Sequence, residues 1–190
     1  MTIWTVGHST RTLDELTVAL QAHSIEVLAD VRSFPTSARY PQFNRENLKK
    51  ELPQAHLPQI RGGQAGIAYR WLGKGLGGYR KKSRPDSPHT ALRSPGFRNY
   101  ADYMETEEFK SGVEELLQLA AQKRTAYMCA ERLWWRCHRS LISDYLSALC
   151  GVEVIHIHDE KKTEPHRLHR TARLVADRLI YDVGETGKLL

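Results

Sequence analysis

The run Thr125-Ala126-Tyr127-Met128-Cys129-Ala130-Glu131 and the later run Cys137-His138-Arg139-Ser140 are the stretches around which the rest of the sequence is organised. The first run begins with the apolar residues of a short buried strand, and residues 136 or 137 to 150 carry the apolar spacing of an amphipathic helix. Open α/β sheets bind ligands at strand-to-helix turns of this kind. We therefore predict a site here that contains two thiols, a carboxylate, an imidazole and a guanidinium.

The sequence on either side of this turn alternates between strands and helices. Strands are predicted at residues 3–6, 25–31, 68–72 and 152–157. Thr12 followed by Glu15 is a capping-box pattern, which starts a helix between the first two strands. A strand, a helix and a strand within about 30 residues favour a right-handed parallel βαβ unit.

Further helices are predicted at residues 44–52, at residues 97–104 and after Thr106, and a last helix is predicted to begin at Pro165. The apolar face of this last helix would consist of Leu168, Ala172, Val175 and Leu179. We expect one α/β domain over residues 1–190. It should have a mostly parallel open sheet, helices on both faces and a site at the C-terminal ends of the strands.

Positive charge is concentrated in one part of the chain, whose formal net charge is +6. Residues 61–98 contain nine Lys or Arg and one acidic residue, Asp86, which leaves −2 for the remainder. Such a patch suggests a partner that carries phosphate, although a solvated loop would have the same composition. Within the patch, residues 73–96 are predicted to be a mobile, basic, glycine-rich loop without a phosphate-loop motif.

The composition also indicates the cellular setting. No segment has the length and apolarity of a membrane span, and the first residues do not follow the pattern of a secretory signal. Three cysteines without the spacing of a disulfide framework suit a reducing compartment. We expect a cytoplasmic protein with no membrane partner.

Chemistry-bearing residues follow the strands at their C-terminal ends, which share one edge of a parallel sheet. We predict that His8, Asp30 with Arg32, Cys129 with Glu131, and His156 or His158 face one crevice. The aromatic loop after Arg32, which includes Ser37 and Tyr40, could line this pocket or pack on the surface. The predicted catalytic residues are Cys129, Glu131, Cys137, His8 and Asp30. The predicted substrate- or anion-binding residues are Ser9, Arg32, His138, Arg139, Ser140, Arg80, Lys81 and Lys82.

Individual roles follow from residue type. The two cysteines would be reactive or orienting thiols, and Cys137, at a helix start beside arginines, should have a lowered pKa. Glu131 and Asp30 would act as general acid or base, and His8 as a proton carrier. Both cysteines could instead be small apolar core residues, and Glu131 could simply pair with an arginine.

We predict no cofactor and no metal. Cys129, Cys137, His138 and His8 could supply ligands for zinc or iron, but the seven residues between the cysteines match no common zinc module.

The function that these residues favour is an enzyme of the hydrolase or transferase type with an anion-binding crevice. Its substrate would be a nucleotide, a nucleic acid or a phosphorylated small molecule. One alternative is a non-catalytic nucleic-acid-binding module that uses Arg80, Lys81, Lys82 and Arg84 with Trp134 or Trp135. Another is a thiol protein that senses metal or redox state.

The chain resembles the bacterial and archaeal family catalogued as domain of unknown function number 488. The matching segments keep their order along the chain: Thr5-Val6-Gly7-His8-Ser9, Asp30-Val31-Arg32 with Pro35 and Ser37, Leu76-Gly77-Gly78, Tyr100-Ala101-Asp102-Tyr103-Met104, Cys129-Ala130-Glu131, Cys137-His138-Arg139 and His156-Ile157. The resemblance implies an α/β fold with a Cys/His/Arg pocket, and it supplies no activity. Many relatives carry acidic residues or proline where this chain has Leu133-Trp134-Trp135-Arg136, which implies a more aromatic pocket rim.

Overall fold

The computed structural model describes residues 1–55, 66–81 and 84–183, and its centre is a six-stranded sheet. In spatial order the strands are β3, β2, β4, β1, β5 and β6; the first five are parallel, and β6 is antiparallel. Their bounds are β1 Thr2–Gly7, β2 Val27–Asp30, β3 Ala68–Trp71, β4 Thr125–Cys129, β5 Glu153–Ile157 and β6 Thr163–Pro165. The prediction of an α/β fold with a mostly parallel sheet is confirmed.

Helices cover both faces of the sheet. They are α1 Leu13–Ala22, α2 Arg45–Glu51, α3 Gly73–Leu76, α4 Pro95–Tyr103, α5 Glu107–Gln122 and α6 Arg139–Leu149. Apolar residues of α1 and α2 pack with Val6 and Leu28 on one face, whereas those of α4, α5 and α6 pack with Ala29 and Tyr127 on the other. The Thr12–Glu15 capping box forms, and it stabilises the start of α1.

Helix α6 begins at Arg139, two or three residues later than the expected start at residue 136 or 137. Trp134–Arg136 form a 3₁₀ turn, and Cys137 is extended, with φ −132° and ψ 151°. Cys137 therefore precedes the helix instead of standing at its first turn, and His138 is the N-cap residue. The surroundings of the Cys137 thiol are set by neighbouring side chains and not by free helix N–H groups.

The predicted C-terminal helix is wrong. Residues 172–181 form an antiparallel hairpin of β7 Ala172–Val175 and β8 Arg178–Tyr181, and Ala176 in the turn has a φ of 56°. Leu179 and Tyr181 alternate with less buried neighbours and are packed into the core. Burial at every second residue is typical of a strand with one buried side. The helical spacing of the apolar residues between 168 and 179 concealed this strand pattern in the sequence.

The glycine-rich segment also differs from the expected loop where it begins. Gly73–Leu76 form the short helix α3, and Leu76 is fully buried. A Cβ at Gly75 would lie 2.9 Å from the Cα of Gly112 in α5, so glycine is needed at this close approach. Within the part of the chain that the structure describes, no helix is long and apolar enough to cross a membrane.

Candidate functional site

The residues predicted to share one crevice lie at one edge of the sheet but on its two sides. Met128 is paired with Val6 in the sheet, and Cys129 is paired with Gly7. Because side chains alternate along a strand, His8 falls on the side of α1 and α2, where its ring stacks on Phe43 at 4.1 Å. Cys129 packs instead against the core on the side of α4, α5 and α6. The expected crevice is therefore two adjoining sites.

The first site, which we call the arginine crevice, is built on a buried ion pair. The Arg32 guanidinium donates to both carboxylate oxygens of Asp30, and its Nη2 also donates to the carbonyl of Phe43 at 2.7 Å. Tyr69 donates its hydroxyl to Asp30 at 2.8 Å. Asp30 is 0% exposed and Arg32 7%. Asp30 thus holds Arg32 in place, which differs from the predicted role of an acid or base.

His8 extends this network. Its Nε2 lies 3.2 Å from Nη1 of Arg32, which can only donate, so Nε2 accepts and the proton is on Nδ1, which faces the carbonyl of Ser9 at 3.0 Å. Burial of the ring, with Arg32 beside it, lowers the pKa of His8 to about 4. His8 is therefore neutral at pH 7 with both nitrogens engaged, an arrangement that orients Arg32 and does not suit the predicted proton carrier.

The arginine crevice opens as a cavity of about 370 Å³ above the ends of β1, β2 and β4. Glu131 is exposed at its edge, and its Oε1 accepts from the backbone N–H of Leu133 at 3.3 Å. Two arginines, Arg32 and Arg132, and four small hydroxyl residues line the cavity: Ser9, Thr10, Thr36 and Ser37. The rings of Phe34 and Tyr40 also line it, together with His8, Ala130 and Glu131. Sequence reasoning missed Arg132, although it directly follows Glu131.

The second site, which we call the thiol cluster, consists of Cys129, Cys137 and His138. The Nδ1 atom of His138 lies 3.5 Å from the sulfur of Cys137 and 3.9 Å from that of Cys129. The three ligand atoms all lie within 4.8 Å of one another. The structure thus brings together the two predicted thiols and one of the predicted anion-binding residues.

The two thiols of this cluster differ in acidity. Burial alone raises the pKa of Cys137, but the hydrogen bond from Cys129 and the adjacent His138 hold that pKa well below its usual value. The Cys137 sulfur beside it, together with burial, raises the pKa of Cys129 well above its usual value. Cys137 is therefore the thiol of the pair that loses its proton first, and Cys129 keeps its proton.

His138 is held rigidly. Its Nε2 lies 3.1 Å from the carbonyl of Val31, which can only accept, so Nε2 carries a proton and the ring turns Nδ1 toward the sulfurs. The Tyr100 ring lies 5.1 Å from the imidazole. A Cβ on Gly78 would lie 2.5 Å from Nδ1, so only glycine fits against this ring.

Several predicted anion-binding residues are used inside the fold. Arg139 is 1% exposed and donates to Thr5 and to the carbonyls of Glu131 and Arg132, so it fixes the loop after β4 and does not face the arginine crevice. Ser140 is buried and donates to the carbonyl of Cys137.

The basic segment is also partly engaged. The Arg80 guanidinium lies 3.7 Å over the Tyr103 ring and donates to three backbone carbonyls, and Arg84 lies 3.4 Å from Glu105. Lys81 is exposed, and Lys82 lies outside the described residues. The arginines predicted to contact phosphates are thus held by internal partners.

His156, which was predicted to face the shared crevice if His158 did not, belongs instead to a buried chain of histidines. His166 contacts Asp144 at 2.8 Å and His156 at 3.0 Å, and the Trp134 ring stacks on His156 at 4.1 Å. Burial, with His166 beside it, lowers the pKa of His156 to about 2. The aromatic residue expected at the pocket rim is thus used to cover His156.

Comparison with curated proteins found no match, and comparison with solved structures found none. A family model described as "Domain of unknown function DUF488" matches residues 12–146, more than half of the chain. The matched range contains Asp30, Arg32 and the whole thiol cluster, whereas His8 and His156 lie outside it. The chain therefore belongs to the DUF488 family.

Proposed function

We propose that the protein is an enzyme of the hydrolase or transferase type that acts on a nucleotide or another phosphate-bearing substrate in the arginine crevice. The observation that carries this proposal is the lining of the cavity. It joins the guanidinium groups of Arg32 and Arg132 to the hydroxyls of Ser9, Thr10, Thr36 and Ser37. Guanidinium and hydroxyl donors are the side chains with which proteins bind phosphate oxygens.

The position of the crevice supports this choice. It lies outside the C-terminal ends of parallel strands, where open α/β sheets bind ligands. A larger neighbouring recess, of about 620 Å³, shares Arg132 and also contains Arg11, but four carboxylates outnumber these two cations and would repel an anion: Asp14, Glu15, Asp159 and Glu160. Charge therefore favours the smaller cavity for phosphate.

The two arginines would contribute differently. Asp30 compensates the charge of Arg32, so Arg32 contributes little net charge. Because its Nε and Nη2 are engaged and one N–H of Nη1 faces His8, the second N–H of Nη1 is the donor left for a phosphate oxygen. Arg132 is exposed and supplies the attraction for an anion. The ring of Phe34, which is 69% exposed beside the crevice, suits a planar base attached to the phosphate.

We assign the proton transfer to Glu131, whose carboxylate lines the crevice. In the proposed reaction, a water or substrate hydroxyl attacks phosphorus, the Glu131 carboxylate takes its proton, and the P–O bond to the leaving group breaks. The arginines stabilise the charge that develops on the phosphoryl oxygens. This reaction uses neither Cys129 nor Cys137, because both sulfurs lie on the other side of the strand ends.

Binding and turnover test the proposal together. The purified protein is titrated with inorganic phosphate, a nucleoside monophosphate and a short oligonucleotide, and hydrolysis is followed with the last two. We expect Arg132→Gln to weaken phosphate binding about tenfold or more. Arg136→Gln makes the same charge change at an exposed position outside the cavity lining and should leave binding unchanged.

Glu131→Gln tests the chemical step. It should lower kcat by roughly 10²–10⁴ while KM stays near the wild-type value. Equal phosphate affinity in the Arg132 and Arg136 variants would refute the crevice as the binding site. Binding without any turnover of the panel would refute the hydrolase part of the proposal.

A further inference from the structure

We infer that the thiol cluster is a binding site for a soft divalent cation, zinc in the first instance, with Cys129, Cys137 and His138 as its three protein ligands. This inference does not rest on the reaction proposed for the arginine crevice. Thiolate sulfur and imidazole nitrogen are the donors that zinc prefers in proteins. The chain brings three of them together from two elements, the end of β4 and the turn before α6.

The distances fit tetrahedral coordination. Zinc bonds of about 2.3 Å to sulfur and about 2.0–2.1 Å to nitrogen place a sulfur and a nitrogen ligand roughly 3.5 Å apart. The two sulfurs of the cluster lie 3.5 and 3.9 Å from Nδ1 of His138. An ion therefore fits between the three atoms with little rearrangement.

The orientation of His138 is also the one that a metal ligand needs. A ligating histidine normally donates its other ring N–H to a carbonyl or carboxylate, which fixes the ring plane. His138 makes this contact with the carbonyl of Val31 at 3.1 Å, which turns Nδ1 toward the two sulfurs. Gly78 lies against the ring on the side where a Cβ would displace it.

The donor set also matches a divalent ion in charge, because two thiolates neutralise it and the imidazole completes three protein ligands. Among the described residues no fourth His, Cys, Asp or Glu joins the group. Three protein ligands leave one position for water or another small molecule, as in catalytic zinc sites.

Metal binding by the whole chain tests the inference. The protein is reduced, stripped with a chelator and titrated with Zn²⁺ against a chromophoric competitor, and in parallel with Co²⁺ for its absorption spectrum. We expect one tightly bound Zn²⁺ per chain and a thiolate-to-cobalt charge-transfer band with tetrahedral ligand-field bands. Cys129→Ser, Cys137→Ser and His138→Gln should each lower zinc affinity by more than the roughly 10–100-fold that loss of a supporting contact costs.

The third cysteine provides the matched control. Cys150 lies at the end of α6, outside the thiol cluster, so Cys150→Ser should bind zinc like the wild type. If a cluster variant does not fold, X-ray absorption at the zinc edge of the wild-type protein decides the ligand set, and two sulfurs with a nitrogen are expected. Wild-type affinity in the Cys129 and Cys137 variants, or a zinc shell without sulfur, would overturn the inference. Neither readout depends on phosphate binding.

Discussion

Replacing Arg32 by methionine should destabilise the protein more than any change at an exposed ion pair. Met keeps much of the length and apolar volume of the Arg stem but removes the guanidinium. Asp30, which is 0% exposed, would then retain only the Tyr69 hydroxyl and the backbone N–H of residue 32 as hydrogen-bond donors. The variant therefore leaves a buried carboxylate without its counter-charge.

The cost follows from the burial of the pair. Removing one partner of a buried ion pair costs about 3–5 kcal/mol, out of a total free energy of unfolding of about 5–15 kcal/mol. Adding Asp30→Asn to Arg32→Met removes the stranded charge, while the Asn oxygen can still accept the backbone N–H of residue 32. The double variant should therefore be no less stable than Arg32→Met alone, although the two single costs would add to more.

Urea unfolding in the presence of a chelator, followed by circular dichroism and tryptophan fluorescence, measures the free energies of unfolding. The comparison holds where the variants share the wild-type slope m with urea concentration. Lys50→Met is the control, because Lys50 is 72% exposed in its pair with Glu51 and should lose less than about 1 kcal/mol. If Arg32→Met costs no more than this control, the pair does not hold the crevice together. If the double variant lost as much stability as the two single variants together, the argument that Arg32→Met leaves an uncompensated charge on Asp30 would be refuted.

Two further predictions concern the thiol cluster and the histidine chain. Gly78→Ala should lower the free energy of unfolding by about 1–3 kcal/mol and weaken zinc binding, because the new Cβ would lie 2.5 Å from Nδ1 of His138. Gly96→Ala is the control, because the nearest atom to its new Cβ is 3.8 Å away. Equal urea midpoints for the two variants would contradict this prediction. In the folded protein His156 is neutral, with a pKa of about 2, whereas in the unfolded chain it binds a proton below about pH 6.5. Its contribution to stability is therefore fully present above about pH 6.5 and is lost as the pH falls below that value. From about pH 6.5 to about pH 5 the wild type should lose up to about 2 kcal/mol more than His156→Gln, and parallel stability profiles would count against burial of a neutral ring.

Sequence patterns predicted the helices that bury one face and the strands that are buried on both faces. The capping box at Thr12 and the apolar spacing after Thr106 each mark a helix start that the structure contains. The strands of the parallel part are short, buried runs, which the sequence separates clearly. The C-terminal hairpin was not predictable in this way, because only Leu179 and Tyr181 of β8 are buried, and an exposed strand leaves a weak pattern.

The candidate sites were predictable in composition but not in grouping. Asp30, Cys129 and His8 do lie at one edge of the sheet, as strand order along the chain suggested. Which of them share a side depends on the register between β1 and β4, a long-range property that no local pattern contains. With Gly7 paired to Cys129, alternation places the thiol and His8 on opposite sides, and the predicted Cys/His/Asp crevice becomes two sites.

The two sites are nevertheless joined through three consecutive residues. Arg32 lines the arginine crevice and Asp30 is buried behind it, while the carbonyl of Val31 between them accepts the N–H of His138 in the thiol cluster. Because this hydrogen bond links the two sites, we expect a displacement of His138 to move the backbone that carries Arg32.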